Sequence, residues 1–391
     1  MSHSAEIEAE PCRNGSLVAP LASVAAVGLG FSIAMPLLSL TLEARGISNT
    51  WIGINTAAWG LASMAITPFV PRLAAFIGTS RLLALSIATM AAALPLFWLA
   101  ENFWLWFPLR FLAGAALTVT FVLSEFWIST VAPPARRGLV MGLYATLLSL
   151  GFACGPLVLR LTGLNGLPPF GAGAIVLALA VIPILAGGNG APRLSGHARG
   201  GMGRFLFLAP VATGAALLFG MIESGAFALL PLYGQAVGFD RDTVILFAIA
   251  VTIGNIVMQL PIGLLSDRID RRALLLGIAV CGLVGSAVTP LVAHGFWPFM
   301  ILLGLWGGSV GALYTVGLAH LGSRFSGADL ATANAAFVFC YSAGALGGPA
   351  VIGAAMDVWR PHGFAVALGA FFLAYIVLVF IRLTTRAAQN G

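Results

Sequence analysis

Apolar residues in this chain neither alternate nor mark a single helical face. They run nearly unbroken for about twenty residues at a time, the length that carries a helix across a bilayer. Short clusters of arginine, glycine, proline and small polar residues divide the runs, and marking each run predicts twelve helices. The first six lie near 17–42, 51–71, 80–100, 103–131, 138–160 and 168–187. The second six lie near 205–233, 242–265, 273–293, 296–320, 329–353 and 363–382. An all-α polytopic membrane protein is therefore expected, with a tail at 1–16, six-helix bundles at 17–187 and 205–382, a linker at 188–204 and a tail at 383–391.

Composition supports the membrane reading: 60% of residues are hydrophobic, 8% are charged, and the mean hydropathy is +1.01. No segment is long and polar enough for a soluble domain. The N-terminus carries Glu6, Glu8 and Glu10 instead of the basic start of a signal peptide, so the first span is expected to act as the insertion signal. All 19 basic residues are arginine. Without lysine there is no Walker A phosphate loop and no Schiff-base site, which argues against ATP-driven pumping by this chain. Cys12, Cys154, Cys281 and Cys340 show no metal or redox spacing.

Charge placement tests the twelve-span map. With both termini in the cytoplasm, fourteen arginines fall on the cytoplasmic side. Four (Arg45, Arg160, Arg241 and Arg360) fall outside, and Arg110 falls within a span. That asymmetry satisfies the positive-inside rule and supports an even number of spans. The halves also repeat at an offset of about 193–195 residues. Pro36 matches Pro231, Pro68 matches Pro261, and Gly155-Pro156 matches Gly348-Pro349.

The run Gly263 to Arg272, GLLSDRIDRR, concentrates charge between two apolar segments. It resembles the cytoplasmic loop signature of the major facilitator superfamily, G-x-L-a-D-r-x-G-r-r. SEFWISTVAPPARRGLVMGLY (124–144), LPLYGQAVGFD (230–240) and NAAFVFCYSAGALGGP (334–349) extend the likeness to YcaD-like and drug-efflux-like bacterial members. The resemblance implies two pseudo-symmetric six-helix halves, with substrate bound near the bilayer midplane and exposed alternately to each side. It also implies that Asp267 contacts the start of the eleventh helix and that Gly263, Arg268, Arg271 and Arg272 help close a cytoplasmic gate. Asp270 stands where the family has glycine, and the matching loop at 68–83 has lost its acid.

Deep charges are the next candidates, since ionisable residues inside spans usually mark pathways. Arg110 lies eight residues into the fourth predicted span, and Arg110 to Gly114 resembles the superfamily's R-x-x-x-G signature, which is associated with proton transfer. Glu125, fifteen residues on, is expected to pair with Arg136 or Arg72 in a structural or gating role. Glu223 is the sole acid deep in the second half and a candidate to carry a proton or bind substrate. Gly151, Gly155 and Pro156 resemble the antiporter signature G-x-x-x-G-P, although Leu159 and Arg160 replace its following glycines. Asn255, Gln259, Tyr314, Asn334 and Tyr341 form polar stripes able to line a cavity or to join helices. Trp59 and Trp306 lie deep enough to pack on a substrate, whereas Trp51, Trp104, Trp106, Trp127, Trp297 and Trp359 read as an interfacial belt.

The expected function is proton-coupled antiport exporting a small molecule; uptake by a symporter or facilitator is the alternative. No enzymatic motif such as H-E-x-x-H is present. A monomer in the bacterial inner membrane is expected, with substrate, protons and lipids as partners, no nucleic acid, no metal and no cofactor beyond the proton gradient.

Overall fold

The computed structural model describes residues 15–131, 137–186, 203–325 and 327–390. Most of the predicted 1–16 tail and 188–204 linker lies outside these residues. Among the described residues there are fourteen α-helices and no strand. The first half contains α1 Gly15–Ala44, α2 Asn49–Ile66, α3 Val70–Ile77, α4 Thr79–Leu99, α5 Trp106–Val131, α6 Arg137–Thr162 and α7 Pro168–Ala186. The second contains α8 Gly203–Leu208, α9 Pro210–Ala236, α10 Arg241–Ser266, α11 Arg271–Val292, α12 Phe296–Gly322, α13 Gly327–Val358 and α14 Gly363–Asn390. Twelve helices are long, and eleven of them can cross a membrane by length and composition; the twelfth, α6, carries a shorter apolar stretch at Thr146–Thr162.

Helix is the natural state of these runs because lipid offers no partner for a free backbone N–H or C=O. Their interruptions have local causes. Within the second span α2 stops at Ile66, where a 3-10 turn over Thr67–Phe69 contains Pro68 and leads into α3, and the span continues to Ile77. Proline lacks the N–H that an α-helix would use there. Asp240 caps α10, accepting from the backbone of Asp242 at 3.0 Å and Thr243 at 2.9 Å. Asp270 caps α11 in the same way, accepting from Arg272 and Ala273. The acid that departs from the loop signature is thus accounted for as a helix N-cap.

The sequence repeat is also a repeat of turn chemistry. After α1, Gly46 has φ 76° and the Ile47 amide donates back to Leu42, before Ser48 starts α2. After α9, Gly238 has φ 107° and the Phe239 amide donates back to Gly234, before Asp240 starts α10. Each is a Schellman-type stop, in which glycine supplies the left-handed residue and the next helix is capped at once.

The twelve long helices alternate in direction, so both described chain ends lie at one face, called here the terminal face; the other is the far face. Within the first half α6 packs on α1, and within the second α13 packs on α9. Between halves the contacts are α2 with α13, α1 with α9, α6 with α10 and α2 with α9. Large apolar side chains are left outward, as on α7, where Ile175, Leu179 and Ile182 form one exposed stripe. That pattern suits a lipid-facing surface rather than a water-facing one.

Candidate functional site

The far-face ends of the halves are locked together. Asp357, near the end of α13, reaches the first turn of α2. Its carboxylate accepts from the Asn49 amide at 3.1 Å and the Asn49 Nδ2 at 2.9 Å. It also accepts from the Thr50 amide at 2.7 Å and the Thr50 hydroxyl at 2.6 Å. The start of a helix is partly positive and has unpaired amides, so a carboxylate is favoured there. Below this cap the helices approach to backbone contact. A side chain at Gly53 would meet the Pro349 carbonyl, and one at Gly60 would meet the Leu346 backbone. Lower still, the Ser63 and Ser342 hydroxyls hydrogen-bond at 3.1 Å. A further bridge, Arg241 to Glu43 at 3.1 Å, joins the start of α10 to the end of α1.

At mid-depth the seal is aromatic. Phe31 of α1 meets Trp59 at 5.1 Å, Phe152 at 5.5 Å and Phe227 at 5.5 Å, each edge to face. Phe227 belongs to the second half, so this cluster spans the junction.

From there toward the terminal face the polar candidates are open. Glu223 sits thirteen residues from either end of α9, about 20 Å each way at 1.5 Å per residue. It remains partly exposed and accepts a 2.6 Å hydrogen bond from the Tyr341 hydroxyl of α13. Tyr314 of α12 packs edge-on against Tyr341, with centroids 5.9 Å apart. Glu125 of α5, in the other half, is exposed and lies within electrostatic reach of Tyr314 and of Tyr144 on α6. Among the described residues it makes no ion pair. The expected pairing of Glu125 with Arg72 is therefore corrected: its side chain turns into the space between the halves. Arg136 lies outside the described residues.

Arg110 and Glu223 are not brought together. Arg110 lies eight residues into the span Phe103–Ile128, as expected, and one turn into α5, which begins at Trp106 after a 3-10 turn. Its side chain is only 3% exposed. It donates to the Thr56 hydroxyl at 2.8 Å and approaches the Met35 sulfur at 3.7 Å. Its Nε and Nη1 have no partner among the described residues, and neither does the amide of Asn55, the residue beside Thr56. Buried donors without partners are costly, and Arg110 is held inside the first half, against Thr56 of α2 and Met35 of α1.

The predicted gate loop is loose. Asp267 has a 74% exposed side chain and one ion-pair partner, Arg271 of the same loop at 3.5 Å. No heavy atom lies within 4 Å of a side-chain position at Gly263. Among the described residues, Asp267 makes no contact with the start of α13, where the side chains of residues 326–328 lie outside those described. Arg268 and Arg272 border the same loop, where the Arg268 amide donates to Leu265.

Other predicted residues divide between packing and cavity. Gly151 and Gly155 let α6 meet α1 at Gly28 and Ser32, and Pro156 follows. Gly344 and Gly348 do the same for α13 against α9. Trp306 is corrected from cavity lining to core: its indole donates to the Gly282 carbonyl at 3.2 Å and its ring abuts Phe372. Trp106 and Trp127 are buried as well, and so leave the expected interfacial belt. Asn255 accepts from Gln259 at 2.9 Å beside Gly311, an arrangement that joins α10 to α12. Asn334 is exposed, and Tyr314, Tyr341 and Trp59 are partly so.

Sequence reasoning missed two features. Asp357 could have been noticed as an acid at a span end in a chain with only 13 acidic residues. Phe219 and Phe227 flank Glu223 at i−4 and i+4, a spacing legible without coordinates.

The family model described as Major Facilitator Superfamily matches residues 21–255 and 212–391. The uncharacterized MFS-type transporter YfkF of Bacillus subtilis is 25% identical over 344 residues, covering 85% of this chain and 86% of that protein. An uncharacterized MFS-type transporter of Yersinia pestis is 24% identical, covering 90% of this chain and 91% of its own. The crystal structure of the nucleoside transporter NupG superposes with a TM-score of 0.74 at 16% identity, covering 95% of this chain and 99% of the other. The last likeness shows the shared fold alone. The matches establish the superfamily, without the narrower YcaD-like group.

Proposed function

The chain belongs to the Major Facilitator Superfamily, and from that premise we propose that this secondary transporter is a proton-coupled antiporter exporting a small molecule. One observation carries the reading. Glu223 lies at the midpoint of α9, partly exposed between the halves, with a neutral tyrosine hydroxyl as its partner and, among the described residues, no ion pair. A carboxylate so placed can take up a proton when the cavity faces one side and release it when the cavity faces the other.

The closed far face and open terminal face suit one end of an alternating-access cycle. The arginine bias puts the terminal face in the cytoplasm of a bacterial inner-membrane protein, so this end is the inward-open one. The proton gradient supplies the energy, and a single copy of the chain holds the whole cavity. Arg110 acts in this reading from inside the first half, where it braces α5 against Thr56 of α2.

Uptake remains the second reading because the glycine motif no longer argues for export. Gly151 and Gly155 pack α6 on α1, and the same spacing recurs where α13 packs on α9. A contact used twice by the fold sets no direction.

The test is proton movement in proteoliposomes on addition of each member of a substrate panel. Substrate-dependent proton flux in the natural protein, absent in Glu223→Gln, is expected. Unchanged coupling in that variant would remove Glu223 as the carrier. Counterflow with an imposed pH gradient of either sign separates export from uptake.

A further inference from the structure

We propose that the space between the halves is a binding site for organic cations with a bulky apolar body, built from carboxylates on opposite halves and the aromatic rings between them. The inference rests on the transporter reading and names its substrate class.

Three observations converge on it. First, among the described residues the charge facing the cavity is of one sign. Glu125 from α5 and Glu223 from α9 both lie within electrostatic reach of Tyr314. The remaining deep charge, Arg110, is buried inside the first half against Thr56 of α2. Second, the acid at the centre is sandwiched. Phe219, Glu223 and Phe227 succeed one another at four-residue steps on α9 and therefore share one stripe, the two phenylalanines rooted about 6 Å along the axis on either side of the acid. Third, each of those rings belongs to a larger aromatic group. Phe219 lies 5.6 Å from Tyr314 and 6.0 Å from Tyr341, while Phe227 joins Phe31 and Phe152.

The chemistry selects by charge. An anion entering this space would meet two carboxylates with no described cation to offset them. A cation gains from both acids and from the negative faces of the rings, which attract positive charge in a desolvated setting. Apolar substituents on that cation would displace water from phenyl surfaces rather than from polar groups. Two acids on opposite halves also mean that full engagement of the cation requires the halves to be positioned around it.

Tetraphenylphosphonium and tetraphenylborate test this directly, because they share a shape and differ in sign. Binding to the full-length protein in nanodiscs, followed by tryptophan fluorescence with protein-free nanodiscs as the partition control, should favour the cation by at least about tenfold. Glu125→Gln should weaken cation binding by about five- to tenfold, Tyr314→Leu should weaken it as well, and Tyr314→Phe should retain it. Retention by Tyr314→Phe also shows that the pocket survives substitution. Equal or tighter binding of the borate would overturn the proposal, as would cation affinity indifferent to both Glu125→Gln and Tyr314→Leu. The proton-flux experiment is independent. Charge-selective binding without proton coupling would leave this site standing and remove the antiport reading, whereas proton coupling with anion preference would do the reverse.

Discussion

At the far face, Asp357 accepts from two backbone amides and two side chains at the start of α2, all between 2.6 and 3.1 Å. At the terminal face, Asp267 is 74% exposed and has a single arginine of its own loop at 3.5 Å. Both aspartates stand close to the end of a long helix, and one joins the halves while the other, among the described residues, is paired only with a neighbour in sequence. The difference lies in what each carboxylate can reach. The glycines of α2 bring its start against α13, whereas among the described residues nothing lies within 4 Å of a side-chain position at Gly263 at the other face. An acid in a loop is thus a latch only in the conformation that delivers a helix start to it. The two faces need opposite states of their latches for the cavity to open on one side at a time.

The most severe disruption of this contrast is steric. Gly60→Leu places a side chain into the backbone at Leu346. It should destabilise the closed far face by about 3 kcal/mol or more, since overpacking here strikes main chain. The readout is labelling of Ser342→Cys, in a background free of native cysteines, by an impermeant maleimide supplied at the far face. Labelling no faster than in Ser342→Cys alone would show that the seal does not depend on backbone approach.

Asp357→Ala comes next. It strips the first turn of α2 of its anionic partner and should cost the closed state about 2 kcal/mol, which is roughly a thirtyfold shift between conformations. Labelling at Ser342→Cys should rise accordingly, with Asp357→Asn intermediate. A smaller effect follows for Glu43→Gln, because Arg241 and Glu43 are both more than a third exposed. After allowance for solvent screening, the loss should be about 0–1 kcal/mol and should vanish in high salt.

Least affected is the natural protein carrying Asp267→Asn, within about 0.5 kcal/mol by thermal unfolding, as its one bridge is solvent-exposed. In an Asp357→Ala background, where the terminal face closes more often, the same change should matter more. A larger effect of Asp267→Asn alone than of Asp357→Ala would invert the comparison.

Much of the fold was legible because its rules are one-dimensional. Apolar run length, the side on which each arginine falls and the glycine–cap sequences around Gly46 and Gly238 are all local in the chain. They gave twelve helices, an alternating path and two similar halves. The second span runs on past its predicted end, to Ile77, but hydropathy does not register Pro68, which breaks it with a 3-10 turn between α2 and α3. Trp306 was misplaced for a related reason. Depth along a helix can be counted from sequence, but the direction a side chain faces depends on its neighbours, here Gly282 and Phe372.

The candidate site divides along the same line. Glu223 stood out from residue type and depth, and the structure added its tyrosine partner. Glu125 was found but Arg72 is not its partner, because positive-inside reasoning supplies arginines near any inner helix end without saying which way the acid turns. Asp357 was overlooked because its partners, Asn49 and Thr50, stand 308 and 307 residues earlier in the chain.

Sequence alone was enough to establish that this chain lives in a membrane and crosses it repeatedly, since transfer of apolar runs from water to lipid is decided run by run. It also carried the two-fold repeat and the rare deep charges, because each is a property of residue type and position. Tertiary structure decided which deep charges share a space: Glu125 with Glu223 around Tyr314, and Arg110 apart against Thr56. It decided as well which face is shut. Those outcomes depend on contacts between helices far apart in the chain, made by packing and hydrogen bonding at distances that no sequence pattern contains.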